Sequence, residues 1–137
     1  MLILNKETIP IKTEKDAVFL RNRVTEYAKK ISMGLVNQTK LLTAASELVR
    51  NMLRYAGGGE VLCEVVSASP LQTGIRLTFI DKGPGIKNIE QAMKDGFSTG
   101  KSLGVGLPGA KRLVNAFEIS SVIGKGTKVS ILKWKNG

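Results

Sequence analysis

Apolar and polar positions follow two rhythms along this chain. Over residues 13–31 the apolar positions Val18, Leu20, Val24, Tyr27, Ala28 and Ile31 recur at helical spacing, with Thr13 as candidate N-cap and Gly34 as the stop. A second helical stretch begins near Asn37 and runs to about Ala56, where three glycines end it; its apolar face holds Leu41, Ala44, Ala45, Leu48, Met52 and Tyr55. The period then shortens to that of strands over "EVLCEVVSA" (60–68) and "GIRLTFID" (74–81), joined by the turn "SPLQTG". Residues 88–94 predict a short helix and 107–117 another, with Pro108 in its first turn. "EISSVIG" and "TKVSILKW" close the chain as a hairpin around Lys125-Gly126. Helices come first and strands follow with helices between them, which predicts an α+β two-layer sandwich. No repeat, low-complexity tract or linker interrupts the pattern, so one domain is expected over 1–137.

Composition narrows the chemistry. The single cysteine, Cys63, lies in a strand-like apolar run and supports neither a disulfide nor a metal site, and the absence of histidine removes phosphohistidine chemistry within the chain. No apolar run approaches the roughly 18 residues of a membrane span, and "MLILNKETIP" is too short and wrongly flanked for a signal peptide. A cytoplasmic setting is expected. Lys and Arg number 21 against 11 Asp and Glu, a net charge of +10. The basic residues are spread out, aromatics are only 5%, and no nucleic-acid motif occurs, so a basic surface that binds acidic partners or nucleotides, or simply keeps the chain soluble, is expected rather than nucleic-acid binding.

Three stretches carry candidate chemistry. Thr43, Glu47, Asn51 and Arg54 stack at spacings of three and four on the second helix, apart from its apolar face. A solvated helix face would explain a Glu–Arg pair, but asparagine is disfavoured in a helix interior. A Glu and an Asn one turn apart suit a hard cation and a nearby nucleophile. Next, "FIDKGPGI" ends an apolar strand on Asp81 and breaks on Gly83-Pro84-Gly85. This is either a surface turn or a carboxylate fixed at a strand end beside backbone that lets a flat ring approach. Third, "GFSTGKSLGVGLPG" (96–109) holds five glycines. It fails as a Walker loop, because only three residues separate Gly96 from Gly100-Lys101 and a helix precedes it.

In order along the chain, "ELVRNMLRYAGGG", "DKGPGI", "GFSTGKSLGVGLPG" and "GKGTKVSI" together resemble the GHKL ATPase superfamily. Within it, "GFSTG" and "GLPGAKRL" are similar to the anti-sigma-factor serine/threonine kinases, and most to the switch kinases of bacterial stressosomes. The resemblance covers nearly the whole chain. It implies the Bergerat, histidine-kinase-like ATPase fold, a mixed sheet with helices on one face, and ATP with Mg²⁺. It also implies Glu47 as general base, Asn51 as the Mg²⁺ ligand, Arg54 at the phosphates, and Asp81 reading the adenine amine with Gly83, Gly85 and Thr127 around it. Residues 96–109 become an ATP lid that leads into a helix N-terminus, where amides near Gly104, Val105, Gly106 and Leu107 bind phosphate oxygens alongside Ser98, Thr99 and Gly100. These kinases tend to small residues where Lys101-Ser102 stand here, which offers Lys101 as an extra phosphate contact. The implied activity is phosphorylation of STAS-domain antagonist and scaffold proteins in a stress-response partner-switching pathway, with a downstream phosphatase or sigma-regulatory protein as further partner. The alternative is an anti-sigma factor whose affinity is gated by nucleotide.

Overall fold

The computed structural model describes residues 1–94 and 106–137. The chain opens with a strand, β1 (Leu2–Ile11), and then forms helix α1 (Glu14–Lys30) and helix α2 (Leu35–Asn51). Helix α2 continues as a wider π turn over Met52–Ala56. Strands β2 (Gly59–Ser69) and β3 (Gln72–Ile80) follow, then the short helices α3 (Ile89–Ala92) and α4 (Gly106–Arg112), and finally β4 (Ala116–Val122) and β5 (Gly126–Trp134).

The five strands form one sheet in the order β1-β2-β3-β5-β4. Sheet residues Ile9, Ile11, Val61, Cys63, Ile75, Leu77, Phe79, Val129 and Ile131 share one buried cluster with Leu20 and Val24 of α1 and Leu41, Ala44, Ala45 and Leu48 of α2. The helices therefore cover one face, as the α+β two-layer reading requires. On the other face Arg76 Nε donates to the buried Glu64 across β2 and β3 at 2.9 Å.

The sheet is not mixed. All four neighbouring pairs are antiparallel. Strand β5 lies between β3 and β4, both of which run opposite to it. Strand β1 was absent from the sequence pattern, and the chain does not begin with a helix. Two features hide β1: the register shift between Ile3 and Asn5 breaks its alternation, and Pro10 demotes it. Only Ile9 and Ile11 of this strand are buried.

Local details shift too. Ala17 takes the buried place expected for Val18, which is exposed. The turn after α1 is made by Ser32, in the left-handed region at φ 61°, while Gly34 instead precedes α2 as its N-cap. Helix α4 is shorter than 107–117, because Asn115 already pairs with β5: its amide donates to the Leu132 carbonyl at 2.8 Å and its Oδ1 accepts from the Trp134 amide at 2.9 Å. Among the described residues no helix is long and apolar enough to cross a membrane.

Candidate nucleotide site

The β3 strand delivers Asp81 to its end, and the chain then turns through Lys82–Ile86. Asp81 Oδ1 accepts from the Gly83 amide at 2.9 Å and from the Thr127 amide at 3.2 Å, while the Asp81 amide donates to the Thr127 carbonyl at 3.0 Å. Asp81 and Gly83 thus meet Thr127, 46 residues beyond Asp81 along the chain, at one place. Gly126 makes this possible: at φ 130° it lies directly against the Asp81 carbonyl, where a Cβ would collide.

The turn is fastened to the β4–β5 hairpin. The Ile86 amide donates to Ser121 Oγ at 2.7 Å, Ser121 Oγ donates to the Gly126 carbonyl at 3.1 Å, and the Ser121 and Thr127 hydroxyls lie 2.8 Å apart. The Gly124 amide donates to the Pro84 carbonyl at 2.8 Å, and Gly85 packs against the Val122 carbonyl. Ser121 is a supporting residue that motif reasoning missed. Its signal lay in the period of β4, where a small hydroxyl occupies the same face as the core-packed Ile119.

Helix α2 reaches the same place. The π turn brings Ala56 against Gly83, so closely that a side chain on Gly83 would have no room, and Met52 packs against Gly59 beside the Ile80–Asp81 junction. Asn51, half-buried, ends α2 one residue before Met52. Glu47 is one turn earlier and buried, with Arg50 as its ion-pair partner. Arg54 is exposed on the π turn, its guanidinium carbon 5.5 Å from the Tyr55 ring centroid. Thr43 belongs to its own helix: its hydroxyl donates to the Thr39 carbonyl at 2.8 Å.

Of the expected glycine-rich residues, Gly106 opens α4 and Leu107 packs half-buried on the core. Ser98, Thr99, Gly100, Lys101, Gly104 and Val105 lie outside the described residues.

The donor set fits a purine nucleotide and a hard cation held jointly with phosphate. A strand-end carboxylate with backbone packed too tightly for side chains suits a flat ring bearing an exocyclic amine. Among the described residues no cluster of three or more His, Cys, Asp or Glu could cage a metal alone. A single Asn51 oxygen instead suits Mg²⁺, which keeps waters and takes its other ligands from phosphates.

Comparison with known proteins shows the family. The family model described as "Histidine kinase-, DNA gyrase B-, and HSP90-like ATPase" matches residues 36–136. The chain is 42% identical to the serine/threonine-protein kinase RsbT of Bacillus subtilis, over 95% of this chain and 97% of that protein. It is 29% identical to an anti-sigma F factor of Caldanaerobacter subterraneus, over 85% of this chain and 83% of that one. The solved RsbU and RsbW domains of Rv1364c from Mycobacterium tuberculosis superimpose with a TM-score of 0.66 at 18% identity, over 94% of this chain. This chain spans about a third (32%) of that longer chain, and the likeness carries the fold. The chain belongs to the histidine kinase-, DNA gyrase B- and HSP90-like ATPase family, in the serine/threonine kinase branch that also holds the anti-sigma factors.

Proposed function

We propose that this ATP-using kinase is a cytoplasmic switch kinase that phosphorylates a Ser or Thr of a STAS-domain protein, antagonist or scaffold, in a bacterial stress-response pathway. The observation that carries the site assignment is the meeting of the α2 end with the Asp81–Thr127 junction. Asp81 accepts from the adenine amine, with Thr127 fixing its carboxylate and Gly83 and Gly85 leaving room for the ring. Asn51 and Arg54 bind the phosphate end, together with Ser98, Thr99, Gly100, Lys101, Gly104, Val105, Gly106 and Leu107.

Glu47 accepts the proton of the incoming hydroxyl. The hydroxyl oxygen forms the new bond to the terminal phosphorus of ATP, and the bond to the ADP oxygen breaks with its electron pair. Base catalysis of this kind contributes about 10²–10⁴ in rate, the larger share coming from positioning and electrostatics. Asn51 would hold Mg²⁺, which when bound would supply neutralisation of charge on the phosphoryl oxygens. The net charge of +10 favours an acidic partner surface.

The test is incubation with Mg-ATP and STAS-domain proteins, read by intact mass. A gain of about 80 Da on the partner, one phosphoryl group, supports the kinase. The similarity to anti-sigma F factors favours a second reading, nucleotide-gated binding of a sigma factor. Retention of a sigma factor that depends on ATP, with no mass gain on any STAS protein, would favour it.

A further inference from the structure

Glu47 is buried to 5% exposure, and a buried carboxylate needs a charged or hydrogen-bonding partner. Arg50, one turn further along α2, supplies it through a guanidinium nitrogen on Glu47 Oε1. The two side chains differ sharply in access, 4% exposed for Glu47 and 43% for Arg50. Both line an open groove of about 590 Å³ between α1 and α2, with Arg21 on the α1 wall and Thr43 and Ser46 on the α2 wall.

A guanidinium presents five N–H donors in a rigid fork, and the bond to Glu47 uses only part of it. The remaining donors belong to a half-exposed side chain, in a groove whose α1 wall also carries Arg21 and Glu14. A fork with five donors can pair with one carboxylate and still offer N–H groups to a second. Resting on the kinase reading above, we propose that Arg50 is a positioning residue that couples an acidic group beside the acceptor hydroxyl of the protein substrate to the Glu47 base. The substrate class this selects is a Ser or Thr flanked by Asp or Glu. Arg50 touches neither nucleotide nor acceptor oxygen in this assignment. It aims the carboxylate that does, and it ties that aim to docking.

The experiment compares Arg50→Lys, Arg50→Gln, Glu47→Gln and the Glu47→Gln/Arg50→Gln double variant with wild type, on the STAS protein that gains phosphate in the mass assay. Arg50→Gln should bind Mg-ATP within about threefold of wild type while kcat falls about thirtyfold and KM for the protein substrate rises. Arg50→Lys, which keeps the charge but loses the fork, should recover part of kcat and little of KM. In the Glu47→Gln background, Arg50→Gln should lower kcat no further, because its effect passes through the base. A fully multiplicative loss in the double variant, or an Arg50→Gln kcat within threefold of wild type, overturns the inference while the kinase stands. A wild-type chain that transfers phosphate to no partner overturns the kinase reading and this inference with it.

Discussion

Asp81 and Thr127 hold one another by reciprocal hydrogen bonds, amide to carbonyl at 3.0 Å in one direction and amide to carboxylate at 3.2 Å in the other. The carboxylate is thus oriented by strand backbone, with the Gly83 amide as a second donor on the same oxygen. Asp81→Asn keeps one acceptor oxygen for those amides but replaces the other with an NH₂ group. If the second oxygen reads the adenine amine, ATP affinity should fall about 10- to 150-fold, the worth of a hydrogen bond to a charged group. The native protein should likewise bind GTP more weakly than ATP, since guanine offers a carbonyl where adenine offers an amine. Calorimetry checks both, and equal affinities for ATP and GTP would remove the adenine-reading role of Asp81.

In the proposed mechanism, Asn51 and Glu47 separate by the state in which each acts. Asn51→Ala should abolish Mg-dependent ATP binding, whereas Glu47→Ala should retain binding and lose phosphoryl transfer by about 10²-fold or more. Titration with a fluorescent ATP analogue, set beside single-turnover transfer, reads the two effects apart. Turnover of Glu47→Ala within threefold of wild type would show that the base lies elsewhere.

Acid should loosen the joint between β1 and α1. Glu7 accepts from Arg23 at 2.7 and 3.0 Å and from the Tyr27 hydroxyl at 2.7 Å. The Arg23 hydrogen bonds first, and then that of Tyr27, hold its carboxyl below the ordinary 4.5. The folded state therefore binds fewer protons than the unfolded one. Its contribution is fully present above pH 4.5 and is lost as the pH falls through the folded value. Glu7→Gln should cost about 1 kcal/mol at pH 7, because the cluster is partly exposed, and the gap should narrow in acid, as the pH falls through the folded value. Urea unfolding at pH 7 and in acid measures it, and an equal gap at both would assign the loss to packing alone.

Cys63 should be inert in the folded protein. Burial, with the Glu7 charge adding, pushes its thiol up to about 12. Iodoacetamide at pH 8 should leave the native chain unlabelled and modify it in urea, as mass spectrometry will show. Rapid native labelling would mean that β2 opens.

Legibility followed periodicity and motif density. Helix α1, helix α2 and strands β2, β3 and β5 announced themselves because long runs of Leu, Val and Ile keep one period. Strand β1 did not, since a bulge and Pro10 disturb the alternation and only two of its side chains reach the core. At the site, Asp81 stood out because a charged residue ended an apolar strand. Ser121 did not, because a serine in an edge strand resembles any solvated position until its bonds to Ile86 and Gly126 are seen. Arg50 was hidden for the opposite reason: its charge suggested a surface residue, and only three-dimensional packing shows that the carboxylate it holds is buried.

The contact of Ala56 with Gly83, beside Gly126 on Asp81, joins segments from the middle, the centre-right and the end of the chain. No single segment presents the pocket, so an unfolded chain has nothing for ATP to bind. The nucleotide is then a ligand of the native state alone, and at a hundredfold excess over its dissociation constant it adds about 2.7 kcal/mol to the stability. For a domain with only about 5–15 kcal/mol to spare, that is a large fraction. If ATP binds at this junction, proteolysis of the chain should therefore slow when Mg-ATP is added.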